Sequence, residues 1–110
     1  NSKHPDTNGL QAYSILELAC CTSFLSNRLD DAIKYASRIL HNAVSRHSLA
    51  NFSTVAERFL LLQKQMMEMR GLDLLEFCRA FLRQSGLHIK STKYAWSDRL
   101  KAVEVLHSKL

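Results

Sequence analysis

Chain breakers are scarce in this sequence. Three glycines and one proline occur among 110 residues, and that proline, Pro5, stands ahead of any periodic segment. Their scarcity argues against a strand-and-turn fold and leaves long helices free to form. No apolar run approaches the roughly 18 residues a bilayer-spanning helix needs, and no signal-peptide pattern opens the chain. No membrane partner is expected. The sequence also lacks a glycine-rich phosphate loop, an HExxH or GxSxG motif, and a kinase signature. Its five histidines (His4, His41, His47, His88, His107) are scattered, and its three cysteines form no CxxC pair. No metal, no cofactor, no small-molecule substrate and no enzymatic activity are expected. Cys20 and Cys21 point about 100° apart on a helix; with Cys78 they read as small core residues in a reducing compartment. The expected location is intracellular, cytoplasmic or nuclear.

What is present is the composition of an ordinary globular domain, 46% apolar and 23% charged. Residues 1–8 read as a loose lead-in and 9–110 as one helical domain. The chain opens at Asn1 without Met and stops at Leu110 inside a helical pattern, so the domain is expected to be cut from a larger protein.

Periodicity places about five antiparallel helices, packed as a compact helical bundle or a short α-solenoid fragment. The central one is residues 52–70, where Val55, Phe59, Leu62, Met66 and Met69 form one stripe, with Ala56, Leu60 and Met67 beside it. A first helix, from a capping pair at Asn8 and Gln11 to about Leu25, carries one charge, Glu17, and so reads as buried. The second, about 29–46, is cleanly amphipathic, with Asp30 and Asp31 in its first turn and Arg46 near its end, as the helix dipole favours. Thr54 with Glu57 reads as a capping box, Gly71 as a left-handed stop, and Asp73 with Glu76 as a further capping box. That role explains the Asp73 and Glu76 carboxylates without catalysis. Helix four is expected over 74–85, ending at Gly86, and helix five over 93–108.

The apolar content of helices one, three and four exceeds what one small core needs. The surplus predicts an exposed apolar patch around helices three and four, a self-association seam, or a neighbouring domain cut away. The partner is expected to be another protein or peptide, or a second copy of the chain, contacted through Leu61, Met66, Met67 and Phe81. Methionines repack easily around different partners, and Met67 with Leu61 is expected wherever this helix stays exposed. An alternative follows from charge. Residues 83–110 hold six basic and two acidic side chains, supplying +4 of the net +5. With Tyr94 interleaved, Arg83, Lys90, Lys93, Arg99 and Lys101 would form a nucleic-acid-binding surface.

Residues 16–40 resemble one helix-turn-helix of a tetratricopeptide repeat. Ala32 stands where the two helices would approach, Tyr35 as the aromatic and Leu40 as the closing apolar position. No proline follows the second helix, and 34 residues beyond Ala32 stands Met66. The resemblance implies a peptide- or protein-binding scaffold.

Overall fold

The computed structural model describes residues 13–88 and 96–110. They form five helices: α1 (Tyr13–Leu25), α2 (Leu29–Arg46), α3 (Leu49–Glu68), α4 (Leu74–His88) and α5 (Trp96–Ser108). The expected lead-in over 1–8 and the Asn8–Gln11 cap lie outside the described residues.

Local chemistry sets most of the helix ends. Asn27, at φ 61°, closes α1: its own N–H reaches the Phe24 carbonyl, and that of Arg28 reaches Ser23 at 2.8 Å. Gly71, at φ 71°, closes α3 the same way, with Leu72 N–H reaching back to the Met67 carbonyl at 2.9 Å. Both are left-handed caps that pair otherwise orphaned carbonyls. The Asp73 carboxylate accepts from Glu76 N–H at 3.1 Å, which is half of the capping box expected there; the Glu76 carboxylate accepts instead from Arg79 at 2.8 Å. Two other expected ends are displaced. The α3 cap is Ser48, whose hydroxyl accepts from Asn51 N–H at 3.4 Å, while Thr54 lies inside the helix and donates to the Ala50 carbonyl. Gly86 does not stop α4, which continues to His88.

Contacts between helices fix the directions. Glu17, Cys21 and Phe24 of α1 meet Arg58, Gln63 and Arg70 respectively, so α1 and α3 run parallel. Arg79 of α4 pairs with Glu104 of α5, and His107 lies by Asp73 and Leu74, so those two helices run antiparallel. Each helix thus reverses its predecessor. α1, α3 and α5 lie side by side as one layer, with α2 and α4 behind them. α3 packs against all four other helices. The whole measures 38 × 36 × 27 Å, an all-α bundle.

The core lies between the layers. Phe24, Ile39, Phe52, Phe59, Leu74 and Leu82 are among its fully enclosed side chains. On α3 the enclosed side is Phe52, Val55, Ala56, Phe59, Leu60, Gln63 and Met67, with Val55 and Phe59 inside as expected. The stripe expected through Leu62, Met66 and Met69 is therefore rotated: Leu62 and Met66 are half-buried, and Met69 is 61% exposed. Gln63 enters the core because its amide donates to Cys21 Sγ at 3.4 Å, and its carbonyl oxygen has no partner among the described residues. Cys20 and Cys78 are core residues as expected, Cys20 donating to the Ala32 carbonyl at 3.4 Å across the α1–α2 crossing.

Candidate interaction surface

Eight large apolar side chains stand well exposed among the described residues. Ile15, Leu18 and Leu25 belong to α1, Leu49 and Leu61 to α3, and Val105 to α5. Met69 directly follows α3, and Leu110 stands two residues beyond α5. All eight therefore lie on the layer of odd-numbered helices. The described exposed residues of α2 and α4 are charged, polar or small: Asp30, Asp31, Lys34, Arg38 and His41 on one, Glu76, Ala80 and Arg83 on the other.

The expected burial of α1 is corrected by this distribution. Ile15 is 75% exposed and Leu18 is 70% exposed, whereas its one charged residue, Glu17, is buried. Arg58 Nε donates to both Glu17 carboxylate oxygens, at 2.7 and 2.8 Å. A buried carboxylate needs such a partner, and meeting it turns α1 so that Ile15, Leu18, Thr22 and Leu25 face outward. Their spacing of three, four and three makes a straight stripe. Beside it, Leu18, Cys21, Arg58 and Leu62 help to line a shallow groove between α1 and α3 of about 300 Å³.

A larger groove runs between α3 and α5. Its first part, about 420 Å³, lies between Leu49 and Ser53 on one side and Ala102, Val105 and Leu106 on the other, with Asp98 and Lys101 at its rim. Leu106 leads into a second part of about 160 Å³, where Leu60 and Leu61 face Leu110 between the charges of Glu57 and Lys109. An apolar floor with a charged rim suits the apolar face of a helix or peptide.

A buried polar seam holds α5 in place. The Arg99 guanidinium lies 5.7 Å from the Phe52 ring centroid, in cation–π range, and donates to the His47 carbonyl at 2.9 Å. His47 Nε2 and the Tyr13 hydroxyl are 3.0 Å apart. Burial pushes Tyr13 up to about 12, and burial together with Arg46 lowers His47. Burial likewise raises the Cys20 and Cys78 thiols to about 12, which leaves little thiolate at neutral pH.

Of the four residues expected to meet a partner, only Leu61 stands clearly outside, 60% exposed. Met67 is fully buried and reaches no partner in this fold, because the core stripe of α3 passes through it. Met66 and Phe81 are half-buried against the core, Phe81 on α4 with its ring stacked on Phe77 at 6.5 Å. The four are not brought together. In the expected polyanion set, Arg83 and Lys101 are exposed on different helices, and Arg99 is only 3% exposed. Arg99 is thus a structural residue, not a surface cation. Lys90, Lys93 and Tyr94 lie outside the described residues. The α1 stripe, Leu49 and Val105 were not expected at the surface. The three-four-three spacing in α1, flanked by no charge but Glu17, was the signal that could have found the first of them.

Set against known protein families, curated proteins and solved structures, the chain matches none of them. The tetratricopeptide resemblance stays with one hairpin, in which Ala32 and Leu40 are buried and Tyr35 is half-buried. Among the described residues no helix is long and apolar enough to cross a membrane.

Proposed function

We propose that this chain is a non-catalytic helical module that binds another polypeptide through the outer face of α1, α3 and α5. One observation carries the reading: among the described residues, the eight exposed large apolar side chains lie on those three helices or just beyond their ends. Isolated exposed apolar residues are ordinary, but their concentration on three of the five helices favours an interaction surface, to which exposed Thr54, Glu57, Arg58 and Gln65 of α3 add polar groups. The grooves on either side of α3 give that face the relief a helix or extended peptide needs to seat its side chains. A non-catalytic role fits the state of the reactive groups, since Cys20 and Cys78 are enclosed in the core and His47 is tied to Tyr13. A polyanion-binding role loses Arg99 to the seam beneath α5.

The test is site-specific photo-crosslinking in cells, with a photoreactive residue at Leu18 or Val105 and a control at Lys34 on α2. Polypeptide adducts are expected from the first two positions and not from the third. Equal yields from all three positions, or none from Leu18 and Val105, would refute the reading.

A further inference from the structure

We infer that the α3/α5 part of this face docks a second copy of the chain, turned end for end, with Asp98 of each protomer against the partner's Lys109. The inference rests on the interaction reading above and adds the identity of one occupant. It comes from the order of groups along the groove. Asp98 stands in the first turn of α5 and Lys109 directly follows its last residue, about 16 Å apart at the helical rise of 1.5 Å per residue. Both are exposed, and neither has an ion-pair partner among the described residues.

Reversing the groove about its midpoint exchanges the two charges, so a second copy presents base to acid and acid to base. The midpoint of Asp98 and Lys109 falls between Ala102 and Val105, which brings those two apolar residues together at the centre. The same reversal exchanges the ends of α3. Leu49 lies in the part of the groove that holds Asp98 and Leu61 in the part that holds Lys109 and Leu110, so each leucine of one copy meets the other leucine of its mate. A patch that is complementary to its own reversed image meets the requirement for a two-fold, self-closing interface. The α1 stripe is also apolar, but no charge on it would set a register.

The experiment is light scattering coupled to size exclusion, with sedimentation equilibrium, on the chain at low and high salt. The expected species has twice the 12.6 kDa chain mass, and it weakens as salt screens the paired rims. Asp98→Lys and Lys109→Asp, each checked for helical circular dichroism, should raise the dissociation constant at least about tenfold, since either places two like-charge contacts in one dimer. An equimolar mixture of the two variants should recover the dimer, because both contacts then join opposite charges. A monomer up to the solubility limit would overturn the inference. So would a dimer that tolerates both reversals but dissociates with Leu18→Glu, which would place self-association on α1. Either result leaves the crosslinking outcome at Leu18 to decide the broader reading by itself.

Discussion

On α2 the residues that reach solvent include Asp30, Asp31, Lys34, Arg38 and His41; on α1 they are Ser14, Ile15, Leu18, Thr22 and Leu25. The two helices form one hairpin, yet their outer sides differ in kind. α2 has a charged face and an apolar face, so its own sequence dictates its orientation: Ala32, Ala36, Ile39, Leu40 and Ala43 go inward. α1 is apolar nearly all round. Its buried side holds Glu17 beside Tyr13, Cys20 and Phe24, and the partner that compensates that carboxylate, Arg58, stands 41 positions away; the aliphatic stripe is left outside. Inside and outside are thus written locally on one helix and non-locally on the other.

The comparison is sharpest on α3, where adjacent leucines fall on opposite sides of the boundary. Leu60 is 1% exposed and Leu61 is 60% exposed. Leu60→Ala should lower the unfolding free energy by about 2–5 kcal/mol, and Leu61→Ala should change it by no more than about 0.5 kcal/mol, both read from urea denaturation. Similar losses from the two would break the assignment of the outer face.

The seam through His47 gives a pH-dependent test of how the layers are joined. Burial holds the His47 pKa below its ordinary value, so the unfolded chain takes up a proton more readily than the folded one. Its contribution is complete above about pH 6.5 and is lost as pH falls below that value. The urea midpoint should therefore drop between about pH 7.5 and about pH 5.5, and His47→Gln should flatten that drop. An unchanged slope in the variant would remove His47 from the seam.

A smaller effect belongs to the start of α3. Ser48→Ala should cost about 0.5–1 kcal/mol, at the low end for a cap because the bond is long, whereas Thr54→Ala should cost less. The smallest effect on stability is expected from Leu18→Ser on α1, within about 0.5 kcal/mol. Its signature is instead reduced binding of a hydrophobic dye, which Lys34→Ser on α2 should leave unchanged. If both substitutions acted alike on the dye, the contrast between the layers would fail.

Helix existence was legible because stripes, caps and left-handed stops are written within a few residues of one another: Asp73 caps α4, Gly71 closes α3, and α2 spans its expected residues. Orientation was legible only where a helix has a polar side. On α3 the polar residues gather on one side, Gln63 apart, and the apolar arc left to it is wide enough to fit two adjacent inward stripes. The choice that buries Met67 and Gln63 depends on neighbours far along the chain, Cys21 among them. Arg99 reads as a surface cation by residue type. Its burial depends on the Phe52 ring and the His47 carbonyl, about 50 residues upstream, which no local pattern reveals. The candidate surface was harder still, since it consists of the apolar residues left over once the core is filled.

The chain-order packing of the helices also bears on how the molecule assembles. Substantial contacts join each helix to its immediate neighbours and to the next helix but one. Closing such contacts demands little loop entropy, which places this topology among rapid folders. The α1–α2 and α4–α5 hairpins each complete their packing against α3, which touches all four other helices. A nucleus centred on α3 is therefore expected. Substitutions in its buried stripe should slow refolding, while those at the outer edges of the hairpins should chiefly hasten unfolding.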